Sequence, residues 1–169
     1  MHVGMPPDSI SPLAQLLNGP MRAGEVVWLG LRRERREPVS AVDSVTLVAR
    51  HGILGDHYRT LRNGPRQVTL IAAEDLAAAA SFLGLDQVAP EQVRRNVVTR
   101  GVNLLALKDR RFRLGEAVLE TTGTCDPCGR MDTNLGPGGF NALRGRGGLT
   151  ARVLEDGVVR LGDAIQRLD

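Results

Sequence analysis

Residues 149–168 read LTARVLEDGVVRLGDAIQRL, and this stretch decides the fold class. Leu149 to Glu155 and Val158 to Leu161 have strand character, and Asp156-Gly157 between them is a hairpin turn signal. Gly162-Asp163 then leads into a last strand, Ala164 to Leu168. Three strand segments follow one another with no room for a helix between them. Upstream, Phe112 to Thr122 carries two further strands around Gly115-Glu116, and Asn96 to Thr99 another. Gln67 to Ala72 alternates around Val68, Leu70 and Ile71 as a buried strand would. Val26 to Leu31 reads as a strand that ends in the charged hairpin tip Arg32 to Glu37, and Val39 to Val48 supplies one or two more.

Helices are fewer. Glu74 to Leu83 is an alanine-rich run of high helix propensity that stops at Gly84. Ala89 to Arg95 fits a short helix with Pro90 in its first turn. Gly123 to Gly148 is a long Gly- and Pro-rich stretch with at most a short helix around Phe140 to Leu143, and loops of such length usually serve function. The pattern predicts about eight short strands and three or four peripheral helices, without regular strand–helix alternation. A doubly wound sheet is therefore disfavoured, and a mainly β fold, a barrel or strongly bent sheet, is expected. Residues 1–23, punctuated by Pro6, Pro7, Pro12 and Pro20, read as an N-terminal arm with a short helix from about Ser11 to Leu17, ahead of one domain over 24–169.

The 169 residues suit a single domain, and 42% apolar with 24% charged residues excludes wholesale disorder. No run approaches the roughly 20 apolar residues of a membrane helix. Met1 to Gly19 lacks a basic region followed by an apolar stretch, so a cytoplasmic location is expected. The net charge is only +3, and glutamates interrupt the basic string Arg32 to Glu37, which makes it a solvated tip rather than a nucleic-acid patch. Phosphate-binding glycine fingerprints and a nucleophile elbow are absent. Two cysteines build neither a disulfide framework nor a four-thiolate cluster.

Those cysteines carry the most informative tetrapeptide, Cys125-Asp126-Pro127-Cys128. Its spacing admits a redox dithiol, although the glycines that follow make a poor helix. A zinc site would need two more ligands, with only His2, His51 and His57 to draw on. A single reactive thiolate near Arg130, Arg144 and Arg146, or two buried thiols, complete the alternatives. Gly55-Asp56-His57 offers a loop His beside an Asp, suited to a base, a ligand or a simple loop contact. Arg94-Arg95-Asn96 opens a strand, and its arginines are either solvated or grip a phosphate in bidentate geometry.

Seven motifs stand in order along the chain: Gly55-Asp56-His57; Arg66-Gln67-Val68-Thr69-Leu70 with Glu74; Arg94 to Gly101; Phe112 to Ala117; Pro127-Cys128; Gly147 to Val153; and Gly157 with Gly162-Asp163. Together these motifs resemble the MOSC domain family, named for the C-terminal part of molybdenum cofactor sulfurases. They span about Val26 to Leu168. The resemblance implies a β-barrel fold and a key cysteine after a proline, which is Cys128. In cofactor-binding relatives that cysteine ligates molybdenum, and basic residues hold the pterin. Carried over residue by residue, Cys128 is the metal ligand. Arg94 and Asn96 match the Arg-x-Asn strand of the relatives, Arg130 and Arg144 are further candidates for the phosphate, and His57 with Asp56 is a candidate proton donor. By this resemblance, Met131 stands where amidoxime-reducing relatives have a second thiol, and no clear counterpart of their separate N-terminal β domain is expected within these residues.

The resemblance implies a molybdenum–molybdopterin protein that reduces N-hydroxylated compounds with electrons from an external reductase. A persulfide carrier on Cys128, charged by a cysteine desulfurase, is the alternative, and a non-catalytic binding module the third reading. A small-molecule substrate is expected, with neither nucleic acid nor membrane as partner. Covalent pyridoxal phosphate is not expected, because the only lysine, Lys108, sits in the charged turn Lys108-Asp109-Arg110-Arg111.

Overall fold

The computed structural model describes residues 10–58, 60 and 62–169. The first nine residues of the expected arm, His2 included, lie outside them. A short helix α1 (Pro12–Leu17) is capped by the Ser11 hydroxyl, which accepts from the Ala14 N–H. Among the described residues, eleven strands follow, against the eight expected, and four more helices. In chain order these are β1 (Gly24–Leu31), β2 (Ser40–Val42), β3 (Ser44–Val48), β4 (Gly52–Ile53), β5 (Val68–Ala72), α2 (Ala73–Leu83), α3 (Pro90–Val93) and β6 (Val97–Arg100). A 3-10 turn (Leu104–Leu107) leads to β7 (Arg111–Leu114), β8 (Ala117–Thr124), α4 (Arg130–Leu135), α5 (Gly139–Leu143), β9 (Leu149–Glu155), β10 (Gly157–Arg160) and β11 (Ala164–Arg167). Among the described residues no helix is long and apolar enough to cross a membrane.

Seven strands close into a barrel in the order β11-β7-β8-β9-β5-β6-β1, with β1 returning to β11 through Gly24–Ile165 and Glu25–Ala164. An odd number of strands cannot close with every neighbour antiparallel, so one parallel pair is obligatory. That pair is β5–β6, joined by the crossover that contains α2 and α3. A small sheet, β10-β3-β4, packs beside the barrel.

The segment 149–161 does not form the hairpin its Asp-Gly turn suggests. β9 is already flanked by β8 and β5, so no edge is left for β10. β10 instead pairs with β3, and the Asp156 carboxylate accepts from the Ala49 N–H at 2.6 Å to hold the corner. The stretch 123–148 contains two helices rather than one. In α4, Met131 and Leu135 are spaced one turn apart and both buried, so the helix is fixed by packing despite its glycine flanks.

The barrel interior is filled by Leu29, Leu70, Phe112, Leu114, Leu119 and Ile165, each completely removed from solvent. A second core lies between the outer wall and the helices, where Ile71 and Val98 meet Leu76, Ala79, Met131 and Leu143. β5 is therefore buried on both faces, which explains its unbroken apolar run.

Candidate functional site

β8 ends at Thr124, and the Cys-x-x-Cys segment leads from it into α4. The Cys125 N–H donates to the Gly148 carbonyl at 2.8 Å, and its side chain is buried. Cys128 is exposed, with its carbonyl accepting from Met131 N–H as α4 begins. The segment thus presents one thiol to solvent and seals the other.

Behind this loop lies Arg95, buried at 4% exposure. Its guanidinium donates to three carbonyls: Nε to Gly147 at 2.9 Å, one terminal nitrogen to Val93 at 2.8 Å and the other to Cys125 at 3.0 Å. It ties the entry to β6, the cysteine loop and the glycine loop together. Among the described residues no ion pair engages it. Burial pushes its pKa down, while the Cys125 and Cys128 thiols work in the opposite direction. An arginine remains charged even so, so the cysteine loop sits in a positive field.

Arg94 caps α3 in the left-handed region, at φ 61°. Its half-buried side chain lines a cleft of about 370 Å³ with Arg36, Glu91 and Asn134. Burial lowers its pKa, nearby Arg130 lowers it further, and Cys128 opposes both. Arg94, Arg130 and Cys128 therefore share one neighbourhood, and neither arginine has an ion-pair partner among the described residues.

The other expected site residues are placed differently. The Asn96 carboxamide is committed to the fold. Its oxygen accepts from the Thr69 N–H and hydroxyl, and its nitrogen donates to the Gly30 carbonyl, which pins β1, β5 and β6 together. Asp56 is buried and accepts from the Arg32 and Tyr58 N–H groups. Burial raises its pKa against the Tyr58 N–H and against His57, whose Nδ1 lies 3.9 Å from the carboxylate. That Nδ1 is buried and makes no hydrogen bond among the described residues. No hydrogen bond or ion pair among those residues joins the Asp56-His57 loop to Cys128.

Arg144 lies across the loop, at a cavity of about 430 Å³ that Thr124, Asp126 and Arg146 also line. Arg146 is held by Asp75 at 3.1 Å and by the face of Phe82. Lys108 is exposed at the end of the 3-10 turn. Arg95 is the residue whose part the sequence concealed. Side by side, Arg94 and Arg95 read as one pair, and only the depth of the β6 entry separates a buried tie from a surface cation.

The family model for the MOSC domain matches residues 57–166. Solved structures share the fold. YuaD from Bacillus subtilis superposes with a TM-score of 0.75 at 20% identity, covering 85% of this chain and 94% of that one. YiiM from Geobacillus stearothermophilus gives 0.70 at 14% identity, over 86% and 75% of the two chains. YiiM from Escherichia coli gives 0.66 at 20% identity, over 89% and 71%. A comparison with curated proteins finds no match. A closed seven-stranded barrel with an exposed thiol after a proline defines a class of small thiol-bearing barrel proteins. Within that class, the chain belongs to the MOSC domain family.

Proposed function

We propose that this MOSC protein binds a molybdenum–molybdopterin cofactor at Cys128 and reduces N-hydroxylated small molecules with electrons from a separate cytoplasmic reductase. The supporting observation is the exposed Cys128 thiol beside Arg94 and Arg130, backed by the buried Arg95, with no carboxylate paired to any of the three among the described residues. The donor set fits the group: a thiolate is a soft ligand suited to molybdenum, and guanidinium groups suit a phosphate. Cys128 would hold the metal, and Arg94 with Arg130 the pterin phosphate. When bound, the metal supplies two-electron reduction of an N–O bond. Asn96 contributes by fixing three strands under the site, and His57 is the proposed proton donor. Arg144, which lines a separate cavity with Thr124 and Asp126, is the further phosphate candidate in this reading. Metal and pterin analysis of protein made in a molybdopterin-competent host tests this reading. Molybdenum near one equivalent, lost in Cys128→Ala, supports it; neither molybdenum nor pterin in the wild-type protein sinks it.

The same thiol in the same positive field favours one other reading, a persulfide carrier charged by a cysteine desulfurase. Cationic surroundings favour the thiolate that takes up sulfur. Intact mass after incubation with desulfurase and free cysteine should then show a one-sulfur adduct that is absent in Cys128→Ala.

A further inference from the structure

The single tryptophan is not in the barrel interior. β1 and β6 shift register between Val26 and Trp28, a β-bulge. Bulges re-aim side chains, and this one leaves Val27 and Trp28 half-buried on the outer wall. The indole lies along its own strand over Gly30. A Cβ added at Gly30 would sit 2.1 Å from the indole Cη2 and 2.7 Å from a Val39 methyl, so only glycine leaves the ring its place.

The ring borders a cavity of about 530 Å³, within the usual range for small-molecule sites. Opposite it are Ala77 and Ala80 of α2, where longer side chains would have filled the space. Val98 lines it as well, so its walls are largely apolar. The only charged group lining it is Asp86, which has no ion-pair partner among the described residues, and no lysine or arginine borders it. An indole face and a free carboxylate both attract a cation, and alanine walls take an apolar ring.

We propose that this groove binds a small arylalkyl ammonium ion, its ring between Trp28 and the α2 alanines and its ammonium at Asp86. The assignment stands on this cavity alone and does not depend on the Cys128 reading.

Because Trp28 is the only tryptophan, its emission reports on the groove directly. Titrating the full chain with phenethylammonium should give a saturable change in emission. Asp86→Asn should weaken binding about fivefold, the scale of one partly solvated cation contact. Ala77→Leu should fill the groove and abolish the response, with Ser81→Leu as a second filling variant should the first not fold. Cys128→Ala should bind as the wild type does, whatever becomes of metal loading. No saturable change in the wild type overturns the proposal, as does unchanged binding in both filling variants. Phenylacetate binding as tightly as phenethylammonium, or an Asp86→Asn affinity equal to wild type, overturns the cationic assignment. Emission that shifts with protein concentration alone would put a second copy in the groove and overturn it too.

Discussion

Cys125 and Cys128 share a chemistry and differ in their surroundings, so their substitutions should separate. Cys125 is buried, and Cys125→Ala should lower stability by about 1 kcal/mol through lost packing. Cys128→Ala removes an exposed side chain and should leave unfolding within about 0.5 kcal/mol of wild type while ending cofactor loading or sulfur uptake. Equal loss of activity in both would argue for a redox dithiol instead. Arg95 and Arg94 separate in the opposite sense. Arg95→Met strands three buried carbonyls and should cost at least about 3 kcal/mol in urea unfolding. Arg94→Met, with no side-chain hydrogen bond to lose among the described residues, should cost less than about 1 kcal/mol and, under the proposed function, weaken retention of a pterin phosphate.

Asp56 makes a pH prediction at the same scale. Its folded-state pKa is raised by burial, so the folded protein binds this proton more tightly than the unfolded chain does. Its ionised form therefore costs stability at neutral pH, and the cost disappears as pH falls through the raised value. In Asp56→Asn this position no longer titrates, while every other group is common to both proteins. Wild type should gain stability relative to this variant as pH drops from neutral into the acid range, and the difference should be flat above it. Urea unfolding at a series of pH values checks this, and a difference constant over the whole range would show that Asp56 is not so perturbed.

Among the elements, those whose pattern is local were legible in the sequence. α2 with its stop at Gly84 and the β7–β8 pair around Gly115-Glu116 follow from propensity and turn chemistry alone. α4 was not legible, because Met131 and Leu135 give only one helical repeat between glycines, and what stabilises it is the second core. β10 was misassigned because a turn signal specifies a chain reversal and says nothing of which strand has a free edge. Motif order put Arg94 and Cys128 in one expected site, and Cys128 does act electrostatically on Arg94, whereas Arg144 lines a separate cavity that its place in sequence did not reveal. That loop gives an element-scale prediction. Gly148 has φ +91°, and a Cβ there would lie 1.7 Å from the Leu70 carbonyl oxygen. Gly148→Ala must push β9 off β5 and displace the carbonyl that holds Cys125. It should destabilise by more than about 3 kcal/mol, or prevent folding, when measured by thermal or urea unfolding.

At the scale of the whole molecule, β11 is the strand that converts a sheet into a barrel. It pairs with β7 on one side and β1 on the other, and Ile165 is wholly buried inside. Deleting residues 164–169 should expose two edges and the barrel interior at once, and edges of that kind recruit other chains. Loss of the cooperative unfolding transition with concentration-dependent aggregation is the expected result; a soluble, cooperatively folding product would mean that closure is dispensable. Barrel class and the run of strands could be read from sequence, but closure joins Gly24 to Ile165 and leaves no local trace in the chain.

That same join sets a timetable. Synthesis proceeds from the N-terminus, so β1 leaves the ribosome long before the strand that will cover its open edge has been made. β6 can reach one side of it during elongation, but the other must wait for β11, roughly 140 residues later. Until then the growing polypeptide carries an unpaired edge and an unfinished core. The closing contact joins residues about 140 positions apart, so a slow closing step is expected, with the nascent chain more exposed to aggregation than the finished barrel.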